Sequence, residues 1–76
     1  MATKTFVLIE TAVGKNKEAI NELLQLEGAK SVDTVAGPYD IIVAVEGEMV
    51  SEIGELVTAK IHPIPTVSRT MTCLAI

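Results

Sequence analysis

The sequence predicts an α+β domain in which a strand–helix–strand unit occurs twice, giving an antiparallel four-stranded sheet with two helices on one face. Three observations predict it. Two strongly apolar runs, Lys4–Thr11 and Tyr39–Glu46, are each followed by apolar residues at helical spacing. Two further segments, Lys30–Ala36 and Val67–Ile76, alternate polar and apolar residues. No linker or low-complexity stretch interrupts the 76 residues, so residues 1–76 read as one small domain.

The first run, KTFVLIET, is rich in Val, Ile and Thr, and Val13-Gly14 breaks it. Between Lys15 and Glu27, the residues Ala19, Ile20, Leu23, Leu24 and Leu26 recur at steps of three and four, with Lys17, Glu18, Asn21, Glu22 and Gln25 opposite. That is an amphipathic helix, and Gly28 stands where a C-terminal cap belongs. Lys30–Ala36 is a strand with one wet face, and Gly37-Pro38 signals a turn. Gly47 ends the second apolar strand. Val50, Ile53, Leu56 and Val57 then mark a helix over Glu48–Lys60, which Gly54 weakens. Its acids Glu48, Glu52 and Glu55 come early and Lys60 late, as a helix dipole prefers. Pro63 and Pro65 make Ile61–Thr66 a rigid connection before the last strand.

The order βαββαβ is that of the ferredoxin-like split βαβ fold. Right-handed crossovers place its first and third strands in the centre. The composition agrees, because Ser31, Asp33, Thr34, Ser68, Arg69, Thr70 and Thr72 fall on the other two. With helices on one face only, the central strands should alternate polar and apolar. They do not: Phe6 and Leu8 oppose Val7 and Ile9, and Ile41, Val43 and Val45 oppose Ile42 and Ala44. The helix-free face would expose more than the few hundred Å², roughly, that monomers tolerate. A homodimer stacked through its sheets, a dimeric α+β barrel, is the expectation. Size argues the same way, since ordering each residue costs about 1.5 kcal/mol and a small core only balances that. Cys73 is the sole cysteine, so no disulfide can form within the chain.

Ten acidic and six basic residues give a net charge of -4, which argues against direct nucleic-acid binding. No apolar run approaches the roughly 20 residues of a membrane span. The N-terminus lacks a signal-peptide pattern. The expectation is a soluble cytoplasmic protein without membrane contact.

Catalytic chemistry is nearly absent from the residue types. His62 is the only histidine, between Ile61 and Pro63, with no second ligand near, so neither a metal nor another cofactor is expected. Cys73 has no neighbouring base and no CxxC partner, and reads as a small buried hydrophobe. The metallochaperone CxxC is replaced by Thr11-Ala12-Val13-Gly14, the central strands carry one aromatic, Phe6, and no phosphate-cradling glycine motif occurs. Gly37-Pro38-Tyr39-Asp40 is the one constellation with shape. Its turn exposes N–H groups for a carboxylate, and Asp40 could hold an ammonium, which together fit a free α-amino acid. On residue types alone, a plain turn in which Asp40 satisfies its own backbone is commoner. Thr70 and Thr72 share one side of the last strand, as a polar lining or as ordinary β-branched filler.

These residues carry a resemblance over almost the whole chain. TFVLIET with the following VG turn, GPYDIIVAVEG, and IHPIPTVSRTMTCLAI with its Thr-x-Thr strand resemble the C-terminal effector-binding (RAM) domain of the Lrp/AsnC, or leucine-responsive and feast/famine, transcription regulators. The resemblance implies dimerisation through the sheets, assembly of dimers into a ring, and an amino-acid effector bound where dimers meet. It implies that Gly37, Tyr39 and Asp40 engage the effector's carboxylate and amine, with Thr70, Thr72 and Leu74 near the same pocket. Pro65-Thr66-Val67 departs from the family's Pro-Gly-Val. The family's N-terminal helix-turn-helix has no counterpart here, so the expectation is a stand-alone, non-enzymatic module acting through protein contacts, including contacts with full-length regulators. The competing expectations are a small dimeric α+β-barrel enzyme of monooxygenase or isomerase type, using Tyr39, Asp40 or His62, and a ligand-free structural oligomer.

Overall fold

The computed structural model describes residues 3–75. The strands are β1 (Thr3–Thr11), β2 (Ala29–Thr34), β3 (Ile41–Gly47) and β4 (Val67–Leu74). The helices are α1 (Asn16–Leu24) and α2 (Val50–Leu56), and α2 runs directly into a π-helical turn, Val57–Ile61. The sheet order is β2-β3-β1-β4, with β1 antiparallel to both β3 and β4 and β2 antiparallel to β3. The two apolar strands therefore lie in the centre, and the ferredoxin-like α+β fold read from the sequence is the fold observed.

Strand alternation decides the core. Val7, Ile9, Ile41, Val43 and Val45 are buried on the helix side, against Ala19 and Leu23 of α1, Ile53 of α2 and Val57 and Ile61 of the π-helical turn. The core contains no aromatic ring. It is built of Val, Ile, Leu and Ala, each larger side chain worth about 1.5–3 kcal/mol when fully buried. Thr5 sits fully buried in the same row, and its Oγ1 has no hydrogen-bond partner among the described residues.

The register fixes the opposite face. Phe6 pairs with Ala44 and Cys73, and Leu8 with Ile42 and Met71, so these six side chains share the helix-free side. Lys4 and Glu46 lie opposite each other at one end of it, and Glu10 and Arg69 at the other. None of the six is buried within the chain, and Met71 keeps 49% of its surface. Cys73, expected to be buried, is exposed, because β4 is an edge strand and Cys73 faces the side without helices.

The boundaries differ from expectation where side-chain periodicity is a poor guide. Helix α1 stops at Leu24, three residues short of Glu27. Gly28 is consequently not its cap. It sits in the turn that enters β2, at φ +94°, a conformation that disfavours any residue with a Cβ. Strand β2 ends at Thr34 because the Val35 N–H leaves the ladder and donates to the Asp40 carbonyl at 2.9 Å. Tyr39 and Asp40 belong to the resulting turn rather than to β3. Helix α2 begins at Val50, so Glu48 precedes it. Beyond Leu56 the coil widens to a π-helical turn, in which Val57 and Ile61 are both buried. The expected strand end at Ile76 lies outside the described residues.

Gly54 occupies an exposed position of α2, and a Cβ built there meets nothing within 4 Å. Gly54→Ala is expected to stabilise the protein by about 0.4–1 kcal/mol, by narrowing the unfolded ensemble. A urea midpoint at or below the wild-type value would contradict this. Among the described residues, no helix is long and apolar enough to cross a membrane.

Candidate functional site

The Gly37–Asp40 turn stands at the end of the sheet where β1 stops and β3 starts. Gly37 has φ +151°, is exposed, and would meet nothing within 4 Å through a Cβ. The turn is pinned twice. The Asp40 N–H donates to the Ile9 carbonyl at 2.9 Å, and the Asp40 carbonyl accepts from Val35. The carboxylate turns inward: Asp40 Oδ2 accepts the Thr11 N–H at 2.9 Å and lies 3.3 Å from the Thr11 hydroxyl. That hydroxyl also lies 2.7 Å from Asn16 Oδ1. A hydroxyl has one proton, so it serves Asn16 and Asp40 in alternation. Asp40 thus ties the turn to the end of β1 and the start of α1, and its Oδ1 has no partner among the described residues.

This bonding separates two roles of Asp40 experimentally. Asp40→Ala removes the acceptor of a partly buried backbone N–H, at a cost of about 1–3 kcal/mol in stability. Asp40→Asn keeps an oxygen in place while removing the charge, and is expected to fold with most of that stability retained. Chemical denaturation of both variants tests this. Equal losses would show that the charge itself, rather than the acceptor, holds the turn.

Tyr39 is half-buried beside the turn, and the Arg69 guanidinium lies over its ring, 5.4 Å from the centroid. Such cation–π contacts contribute about 0.5–1 kcal/mol at exposed sites. Arg69 also reaches Glu10 Oε2 from Nη2 at 3.5 Å. The Ser68 hydroxyl donates to the Glu10 carbonyl at 2.9 Å.

The last-strand residues fall on the opposite side. Thr70, Thr72 and Leu74 pair with Ile9, Val7 and Thr5, so all three face the helices, and the shared side expected for Thr70 and Thr72 is observed. They do not form one pocket. Thr70 Oγ1 lies 2.9 Å from His62 Nε2, in a notch of about 340 Å³ at the β4 edge. Thr72 and Leu74 line a separate groove of about 250 Å³ with Val50, Ile53, Gly54 and Val57. Within one protomer the structure therefore brings Tyr39 to the base of β4 through Arg69, and leaves Thr72 and Leu74 towards the other end of the strand. Thr11, Asn16 and Arg69 join this region although the residue types alone gave them no role, and His62, a candidate only for the enzymatic alternative, joins it through Thr70. The pairing of Glu10 with Arg69 follows from the β1–β4 register. The inward turn of Asp40 has no signal in sequence.

A cleft of about 500 Å³ opens between the end of α1, the end of β3 and α2. Leu26, Val45, Ile53 and Leu56 form its apolar lining, and Glu46, Glu52 and Glu55 are among its polar groups. Tyr39, Asp40 and His62, the residues on which an enzymatic reading depended, do not line it. Among the described residues, no group of three or more His, Cys, Asp or Glu is placed to hold a metal ion.

No family model matches the chain. The solved structure of FFRP-DM1 is 35% identical, with a TM-score of 0.91 over 97% of this chain and 99% of that one. The uncharacterized HTH-type transcriptional regulator PF0250 of Pyrococcus furiosus is 30% identical over 99% of this chain. The chain spans 52% of that curated relative's length. Two more distant structures share the fold. AsnC of Escherichia coli has a TM-score of 0.92 at 19% identity, over 97% of this chain and 50% of that one. The regulator NMB0573 of Neisseria meningitidis, solved as its complex with L-Met, has a TM-score of 0.88 at 10% identity, over 97% of this chain and 49% of that one.

Proposed function

Because the chain belongs to the Lrp/AsnC family of transcription regulators and corresponds to their effector-binding RAM domain, we propose that it is a sensing and oligomerisation module that binds a small amino acid where dimers meet. It works in the cytoplasm, as regulators do, through protein contacts rather than catalysis, and its partners include full-length regulators of the family. The observation that carries this reading is the helix-free face. Phe6, Leu8, Ile42, Ala44, Met71 and Cys73 form a continuous apolar patch between two charged ends. A second copy covers that patch, and dimers then join into a ring.

The separation of the candidate residues fits a composite site. In this reading, Gly37, Tyr39 and Asp40 of one protomer meet Thr70, Thr72 and Leu74 of another across a seam between dimers. The free Oδ1 of Asp40 takes the ammonium group, and the turn's N–H groups take the carboxylate. The L-Met bound by the fold-sharing NMB0573 supports an amino acid as the ligand class. A ligand at such a seam shifts assembly by its preference for the assembled state.

Sedimentation and calorimetry with the common amino acids test the proposal together. At least one amino acid should release or absorb heat and shift the dimer–ring distribution towards larger species. Silence from all of them in both measurements would end the sensing role. A dimer with no ligand response would leave a structural oligomer.

A further inference from the structure

The cleft of about 500 Å³ on the helix side of the sheet has a size usual for small-molecule sites. Its floor is apolar: Val45 of β3 and Ile53 of α2 are buried, and Leu26 and Leu56 are half-buried. Two glycines keep it open. Gly28 and Gly47 both line it, and a Cβ at Gly47 would stand 3.2 Å from Ile53 Cγ1. Exposed carboxylates flank the floor on two sides, Glu27 from the turn after α1 and Glu52 and Glu55 from α2. Glu46 borders the cleft too, but its side chain lies opposite Lys4 on the helix-free face. Lys60 is the cation at the rim. Among the described residues, neither Lys60 nor any of Glu27, Glu52 and Glu55 is in an ion pair. Three carboxylates against one ammonium leave two negative charges around an apolar floor.

We infer that this cleft binds a linear aliphatic diamine. One ammonium group meets Glu27 on the first wall and the other meets Glu52 and Glu55 on the second, while the methylene chain between them covers the apolar floor. Other ligand classes match only part of the site. A metal dication has the charge but gains nothing from the floor, and among the described residues no three acids are placed to hold one. An uncharged alcohol fits the floor and leaves the carboxylates unmatched. An α-amino acid brings a further carboxylate beside three. The site is separate from the effector site proposed above. It lies where β1 begins and β3 ends, at the far end of these strands from the Gly37–Asp40 turn. It also faces the helices, so a dimer stacked through its sheets leaves it open.

Calorimetry of the full chain at low salt and about pH 7 tests this, with hexamethylenediamine, trimethylenediamine, hexamethylene glycol, magnesium chloride and L-lysine as probes. NMR follows the methyl signals of Leu26 and Leu56. Both diamines are dications at that pH and differ only in the length of the methylene chain, so their comparison isolates the floor. Hexamethylenediamine should bind at least about tenfold more tightly than each of the other probes and should shift both leucines. Glu27→Gln combined with Glu52→Gln, one acid from each wall, should weaken it by about tenfold. Glu18→Gln combined with Asp33→Asn removes as much charge away from the cleft and should leave the affinity within about twofold of wild type. Equal binding of the two diamines, or of magnesium and hexamethylenediamine, would overturn the inference, because charge alone would then account for both. So would equal binding of the glycol or of L-lysine, or a response confined to signals outside the cleft. Sedimentation with amino acids reads the sensing function alone, so the diamine site and that function stand or fall separately.

Discussion

Leu8→Asp is expected to convert the protein to a monomer of 8.1 kDa at micromolar concentration. Leu8 lies mid-strand on β1, with Ile42 on one side and Met71 on the other, in the middle of the apolar helix-free face. In the proposed sheet-to-sheet dimer this row is sealed from water. A carboxylate there loses its hydration without gaining a cation, because Lys4 and Arg69 stand at the two ends of the face. An uncompensated buried charge costs about 3–5 kcal/mol. Each protomer contributes one, so dimer affinity should fall by at least about a thousandfold. Leu8→Met preserves volume and apolarity and should dimerise nearly as the wild type does. Analytical ultracentrifugation of the three proteins reads the outcome. If Leu8→Asp sediments with wild-type affinity, or if the wild type is itself monomeric, the covered face does not exist.

The second large effect is in the core. Ile41 is fully buried at the start of β3, facing Ile9 on β1 and Thr34 on β2. Ile41→Ala should cost about 2–5 kcal/mol, the lost transfer energy plus the cavity left behind. Proteins as a class have only about 5–15 kcal/mol in total, and small domains lie low in that range. The variant should therefore be partly unfolded at room temperature, whereas Ile41→Val should cost about 0.5–1.5 kcal/mol. Urea denaturation at fixed protein concentration distinguishes them, and a loss below about 1 kcal/mol for Ile41→Ala would show that the core closes around the gap.

The sheet order, the central placement of β1 and β3 and the two-sided apolarity were legible in the sequence, because strand periodicity records which face each residue takes. Phe6 and Leu8 against Val7 and Ile9 is enough to read two hydrophobic faces. Helix ends were less legible. Lys15 and Met49 precede α1 and α2 without a side-chain cap bond, so nothing in the residue types marks where either helix begins. The candidate site was legible only in part. Gly37-Pro38 announced a turn, and the shared side of Thr70 and Thr72 followed from alternation. The contacts that shape the site join residues far apart in sequence: Asp40 with Thr11, Tyr39 with Arg69, and His62 with Thr70 across a widened helical turn. Periodicity carries no information about them.

The pairing of the first strand with the last has a kinetic consequence. Thr5 lies beside Leu74, 69 positions away along the chain, and the Ala75 N–H donates to the Lys4 carbonyl at 2.9 Å. One long excursion of the polypeptide must be drawn closed before this half of the sheet gains any hydrogen bond. Loop-closure entropy grows with that separation, and domains rich in such distant contacts fold in milliseconds to seconds rather than microseconds. Refolding is therefore expected to be slow for so small a protein, and a circular permutant that links the end of β4 to the start of β1 and opens the chain at the exposed Val13-Gly14 turn should collapse faster into the same native topology.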